Sequence, residues 1–169
     1  MRYLEDFRAG EVVDLGSVTM TEEEMLDFAR RFDPQPFHVD AELAKQTVFG
    51  GLIASGWHTG SLFMRLAAIG VLNKAASLAS PGLEEVRWLK PVRPGDVLRG
   101  TYEVLEVTPS ESNPSRGTVR GKGELVNQHG EVVLRVVARN HFQRRTPSSQ
   151  GRVGVGPTPS STDPGRSRR

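Results

Sequence analysis

Residues 55–72 read SGWHTGSLFMRLAAIGVL, and Arg65 is the only charged side chain among them. A helix over this stretch is apolar on nearly every face, so it belongs inside a protein. Gly56, Gly60, Ser61, Ala67 and Ala68 keep it thin and let other backbone come close. Such a helix needs a wrapping, and the second half of the chain supplies one. From Leu83 onward the hydrophobic period switches to two, which predicts strands over residues 83–91, 97–108, 117–127 and 131–142. The turns between them fall at Arg93-Pro94-Gly95-Asp96, Pro109–Pro114 and Gln128-His129-Gly130. In the last strand Val132, Leu134, Val136 and Ala138 alternate with Val133, Arg135, Val137 and Arg139. One face is apolar and the other mixed, as in an antiparallel sheet packed on one side. Helices followed by a strand meander give an α+β class: a sheet wrapped around one buried helix.

Upstream, Glu11 to Met20 reads as a first strand interrupted at Gly16. Thr21 then opens a helix. Thr21-x-x-Glu24 is a capping box, Met20 and Met25 are placed for a hydrophobic staple, and three glutamates occupy the first turn. Met25, Phe28, Ala29 and Phe32 make its apolar face. The helix must end near Asp33, because the residue before Pro34 is pushed out of the α region. Asp40 caps a short helix through Leu43 and Ala44, and a Gly50-Gly51 turn follows.

Between these elements lies Asp33-Pro34-Gln35-Pro36-Phe37-His38, read as a loop stiffened by two prolines. It presents a carboxylate and an imidazole together, a pair able to move protons near neutral pH. Taken singly, Asp33 reads as a cap before proline and His38 as a structural histidine. The start of the apolar helix at Ser55-Gly56 changes the balance, because free N–H groups at a helix N-terminus suit an oxyanion. An acid/base pair followed by an oxyanion site points to an enzyme.

Composition narrows the chemistry. The chain has no cysteine, which excludes disulfides, thiolate catalysis and thiolate metal sites. No H-x-x-x-H or H-E-x-x-H pair joins its four histidines, so no metal is expected; His129 and His141 read as surface or interface residues. Met1–Asp6 lacks the apolar core of a signal peptide, and no run reaches the roughly 18 apolar residues of a membrane span. The expected location is the cytoplasm. Residues 146–169 hold 13 Pro, Gly or Ser and carry a local charge of +3 within a net charge of +2. They read as a disordered tail, leaving a nearly neutral folded domain over residues 1–145. No basic stripe with interleaved aromatics suggests nucleic acid.

Asp33-x-x-Pro36-x-His38-x-Asp40, Phe49-Gly50, Ile53-x-x-Gly56 and the small-residue helix together resemble the MaoC-like dehydratase and (R)-specific enoyl-CoA hydratase family. Lys90-Pro91-Val92-x-Pro94-Gly95-Asp96 is similar to that family's strand-turn-strand, and the resemblance covers residues 5–142. It implies the hot-dog fold, a curved antiparallel sheet around a long central helix. It implies a cofactor-free hydro-lyase acting on 2-enoyl-CoA or 3-hydroxyacyl-CoA, or on an acyl-carrier thioester. Asp33 and His38 would be the acid/base dyad, and Gly56 would give its N–H to the thioester oxygen. Ser61 falls where the family often has a small hydroxyl residue, although helix packing explains it as well. The family usually has His before the oxyanion glycine, where this chain has Ser55. Trp57 and His58 are bulkier than the usual apolar pair, and His58 reads equally as pocket lining and as space filling. Val86, Trp88 and Tyr102 read first as core or sheet-face residues. Arg87, Lys90 and Arg93 suit CoA phosphates no better than a solvated strand edge. The resemblance also implies a homodimer, and the mixed outer strand faces, such as Val133 and Val137, are compatible with it. Acyl-thioester hydrolysis and non-catalytic acyl-CoA binding remain as alternatives on the same fold.

Overall fold

The computed structural model describes residues 1–145; the tail over 146–169, and the expectation of disorder there, lie outside the described residues. Five strands form one antiparallel sheet: β1 (Val12–Thr19), β2 (Gly82–Trp88), β3 (Val97–Pro109), β4 (Arg116–Val126) and β5 (Val132–Gln143), in spatial order β1-β3-β4-β5-β2. Three helices precede the central one: α1 (Glu22–Phe32), α2 (Pro36–Val39) and α3 (Ala41–Lys45). The apolar stretch becomes α4 (Gly56–Gly70), packed against β1, β3 and β4. This is the hot-dog fold, with the sheet curved around α4.

The sheet takes the helix closely because its inner face is partly bare. In β4, Gly117, Val119, Gly121, Gly123 and Leu125 are all buried at period two. A Cβ at Gly123 would run into the Phe63 ring, one at Gly121 into the Tyr102 phenol, and one at Gly117 into Leu4. At Gly100 in β3 it would crowd Leu66 at 3.1 Å and Leu15 at 3.2 Å. Glycine normally weakens a strand, but it also marks places where something approaches closely. Here bulky side chains rest directly on strand backbone. Phe63 and Leu66 descend from α4, and Leu4 and Leu15 arrive from the N-terminal segment and β1.

The outer face is ionic. Glu103 and Lys122 stand directly opposite each other and pair at 2.6 Å; Glu124 and Arg135 do the same at 2.7 Å. Arg120 faces Arg139, a like-charge pair that would repel, and Glu84 bonds both guanidinium groups. Such half-exposed pairs each contribute little, yet they fix cross-strand neighbours and keep this face in water.

The expected strands form within one to three residues of their predicted ends. Gly16 marks a register shift in β1, with a φ of 83°. Thr21 caps α1 as expected: its hydroxyl accepts from Glu24 N at 3.3 Å and donates to the Glu24 carboxylate at 2.8 Å. Met20 and Met25 are fully buried beneath that cap. Phe32, assigned to the apolar face, instead stays 64% exposed against Phe28. Two further readings need correction. The Asp33–His38 segment is not an open loop, because Pro36 starts the short helix α2 at a position where a missing N–H is harmless. Val133 and Val137 offer no pairing face, being 0% and 7% exposed within the single chain. An irregularity between Leu125 and Val126 shifts the β4–β5 register near Val133, and Val133 joins the core.

Gly123→Ala should therefore destabilise the fold by about 1–3 kcal/mol through overpacking. Gly60→Ala, on a helix position with no atom within 4 Å of its ideal Cβ, should stabilise by about 0.5–1 kcal/mol. Urea unfolding of the two variants beside the parent checks both signs.

Candidate active site

The site lies where α1 ends and α4 begins. Asp33 is the C-cap of α1, and α2 turns His38 back beside it. His38 is 5% exposed, and its Nδ1 lies 2.8 Å from the carbonyl oxygen of Ile53. A carbonyl only accepts, so Nδ1 must carry the hydrogen and Nε2 of the neutral ring holds the lone pair. Nε2 lies 3.4 Å from Asp33 Oδ2. Two acceptors thus face each other, and a hydrogen must stand between them. It comes either from a water that donates to both or from a proton on Nε2. Both states belong to a proton-transfer site.

Asp33 is held from two more sides. Ser55 Oγ donates to Oδ2 at 2.7 Å, and Gln35 Nε2 donates to Oδ1 at 2.8 Å. Burial pushes the Asp33 carboxyl up. The donors Gln35 and Ser55, with charge on His38, more than offset it, and the net effect holds the group below the usual carboxylate range. Ser55 is the N-cap of α4 and accepts from Trp57 N at 3.2 Å. The first N–H of the helix, on Gly56, has no protein acceptor among the described residues. The helix dipole adds positive character at that position.

Trp88 forms the opposite wall. Its Nε1 donates to Gly56 O at 2.7 Å, and a Cβ on Gly56 would sit 2.6 Å from the indole. Only glycine permits this contact. Asp33, His38, Gly56, Trp57 and Trp88 line one cavity of about 510 Å³, together with Phe37 and Phe49.

Asp33, His38, Gly56 and Trp57 of the sequence-derived site therefore come together, and Ser55 stands behind Asp33 as its hydrogen-bond donor. Ser61 does not join them. It is exposed, and its hydroxyl donates to Trp57 O at 2.8 Å, one turn back on its own helix. His58 also points elsewhere: it stacks on Phe28 at 4.8 Å with rings 7° from parallel. Its Nδ1 is buried without a partner among the described residues, and burial pushes its pKa down against the pull of Glu24. Gln35 and the Ile53 carbonyl were not singled out from sequence, although both lie inside or beside the motifs. Trp88, read as a sheet residue, is a cavity wall. Of the three basic residues considered for phosphate, Lys90 lines the cavity and pairs with Glu131 at 3.4 Å. Arg87 pairs with Glu85, and Arg93 donates to Phe49 O.

The MaoC like domain family model matches residues 6–126, and the chain belongs to that family. A crystal structure of a MaoC-like dehydratase from Rhodospirillum rubrum is 40% identical and superposes with a TM-score of 0.81, covering 86% of this chain and 99% of that one. An (R)-specific enoyl-CoA hydratase of Rhodospirillum rubrum is 29% identical over 146 residues, 82% of this chain and 94% of the relative. YdeM of Bacillus subtilis, a protein without an assigned role, is 32% identical over 109 residues, 64% of this chain and 77% of the relative.

Two pH effects follow. Asp33 has a depressed folded pKa, so its stabilisation is present above the ordinary carboxylate value and lost as pH falls through the folded one. Ser55→Ala removes one donor and raises that pKa, so the acid-side loss of stability becomes shallower; urea unfolding at about pH 7 and about pH 3.5 measures it. His58 is a base with a depressed folded pKa, so the unfolded chain takes its proton first and stability falls below about pH 6.5. His58→Leu should flatten melting temperature between about pH 7.5 and about pH 5.5 relative to the parent.

Proposed function

We propose that the protein is a hydro-lyase that adds water to 2-enoyl thioesters, or removes it from 3-hydroxyacyl thioesters, by acid/base catalysis at Asp33 and His38. The observation that carries this is the 3.4 Å approach of His38 Nε2 to Asp33 Oδ2, with Nδ1 fixed on Ile53 O, in a cavity that also holds the free Gly56 N–H. Water seated between the two acceptors gives up one proton as its oxygen bonds to C3. The pair returns one proton to C2, so H and OH are added and nothing else is consumed. Negative charge building on the thioester oxygen is met by the Gly56 N–H and the helix dipole. Removing such a donor costs on the order of 3 kcal/mol of transition-state stabilisation. The chemistry asks for no cofactor.

Purified protein should hydrate crotonyl-CoA or a longer 2-enoyl-CoA, read as loss of absorbance of the conjugated thioester. Asp33→Asn and His38→Ala should each lower turnover by about 10²-fold or more, with circular dichroism unchanged. Full activity in Asp33→Asn would sink the dyad. Release of free thiol without hydration would instead place the protein among thioester hydrolases, and acyl-CoA binding without any product would make it a carrier.

Two copies are proposed to pair along β2, a sheet edge without a second neighbour. Trp57, Trp88 and Leu89 beside it are 63%, 44% and 41% exposed, more aromatic surface than a solvated edge requires. Light scattering at the monomer mass across micromolar concentrations would refute the pairing. No helix among the described residues is long and apolar enough to cross a membrane, and a cytoplasmic location is proposed on the same footing.

A further inference from the structure

The chain between α3 and α4 carries one wall of the Asp33–His38 cavity, and little holds it. Over residues 46–51 the backbone bonds are local: Gln46 N donates to Leu43 O, Thr47 N to Ala44 O and Gly50 N to Thr47 O. The Thr47 hydroxyl donates to Ala44 O and accepts from Phe49 N. Val48 is 97% exposed. Yet Phe49 lines the cavity, its ring 5.3 Å from Phe37, which meets His38 edge-on at 4.5 Å. A segment with few buried contacts and only local bonds opens at small cost, so a cavity wall placed on it needs a tie to something rigid.

Arg93 is that tie. Its Nη2 donates to Phe49 O at 2.6 Å, and among the described residues no other hydrogen bond joins residues 46–51 to anything beyond α3. An ideal Cβ on Gly51 would lie 3.4 Å from Nη1, so the guanidinium lies along the loop from Phe49 to Gly51. On the other side the arginine's own backbone is held. Arg93 N donates to Asp96 Oδ2, Gln128 Nε2 donates to Asp96 Oδ1, and Met20 N donates to Asp96 O, each at 2.8 Å. These bonds refer Arg93 to the turn before β3, to the β4–β5 turn and to the end of β1. The guanidinium has no carboxylate partner among the described residues, so its charge strengthens the bond to the carbonyl.

We infer that Arg93 is a positioning residue for substrate binding: it acts through Phe49, clamping the loop so that the ring stays in place as a wall against the thioester. The substrate in this inference rests on the hydro-lyase reading; the clamp does not. His38 keeps its own anchor on Ile53 O, so loss of the clamp weakens binding and leaves the chemical step, which raises KM and holds kcat.

The test uses the full-length protein with Arg93→Met, Arg93→Lys and Phe49→Ala. Arg93→Met removes the donor and leaves the backbone bond to Asp96; Arg93→Lys keeps a cationic donor. Amide hydrogen exchange at Phe49 and Gly50 should quicken about tenfold in Arg93→Met, the worth of one charge-assisted hydrogen bond, with the strand amides unchanged. KM should rise about fivefold, by the same factor for crotonyl-CoA and for crotonyl-pantetheine, which lacks the nucleotide phosphates, while kcat stays within about twofold. Arg93→Lys should recover part of the loss. On the Phe49→Ala background, Arg93→Met should add nothing, because both changes remove the same wall. Unchanged exchange overturns the clamp, and so does a full further loss on the Phe49→Ala background. A rise in KM confined to crotonyl-CoA overturns it in favour of a direct phosphate contact, and an unchanged KM for both thioesters removes its role in binding. If the parent hydrates neither thioester, the hydro-lyase reading falls, and the exchange comparison still decides the clamp.

Discussion

The central helix has no polar face to offer water, and the rest of the structure answers that constraint. Nine residues from Leu52 to Leu66 that face inward or flank its start are buried, and Arg65 escapes to the surface. A sheet of ordinary strands would hold such a helix at the usual spacing of packed layers. Glycines on β3 and β4 remove that spacing, so the Phe63 ring and the Leu66 side chain touch backbone directly. The conformational cost of glycine in a strand, about 0.5–1 kcal/mol each relative to alanine, is offset because burying an aromatic or leucine side chain is worth about 1.5–3 kcal/mol. The sheet's outer face needs no such economy and carries cross-strand ion pairs.

Fixing α4 also fixes the chemistry. Its N-terminus cannot move without disturbing the buried helix, and Ser55 ties the Asp33 carboxylate to that N-terminus through one hydroxyl that both donates and accepts. His38 is tied to the same segment through Ile53 O. The carboxylate, the imidazole and the free Gly56 N–H are therefore referred to one rigid element, although they come from three parts of the chain. Preorganisation of this kind matters because a misplacement of about 1 Å can cost about 10²-fold in rate.

Much of this was legible in the sequence. Residues 55–72 announced the central helix, although Trp57, Met64 and Ile69 on it stay 63%, 49% and 57% exposed within the single chain; the period-two pattern announced the strands, and Thr21-x-x-Glu24 announced α1. The joint spacing of Asp33, His38 and Gly56 led to the site. What failed did so for physical reasons. Ser61 carries the right chemistry but lies more than a turn into the helix, where a hydroxyl satisfies the preceding carbonyl. His58 lies in the first turn of α4 just after Gly56, yet helical rotation sends it toward Phe28 rather than the cavity. Val133 and Val137 were placed outside by strict alternation, and an irregularity in the β4–β5 register broke that alternation near Val133. The glycines of β4 recur at period two, but nothing local in the sequence says that Leu4, Tyr102 and Phe63, all distant along the chain, rest on them.

Ser55 has one further consequence. As N-cap it consumes the Trp57 N–H, the donor nearest to Gly56 along the helix start. In the hydro-lyase reading, one backbone N–H then carries the oxyanion, assisted by the dipole. A histidine at this position, as in the usual family pattern, brings a ring with a donor of its own. Serine gives that donor to Asp33 instead, where it favours the ionised carboxylate. In that reading serine supports the acid/base pair through the Asp33 carboxylate. The Trp88 indole, bonded to Gly56 O, polarises the Gly56–Trp57 peptide and so strengthens the Trp57 N–H that Ser55 Oγ accepts, which holds the serine turned toward Asp33.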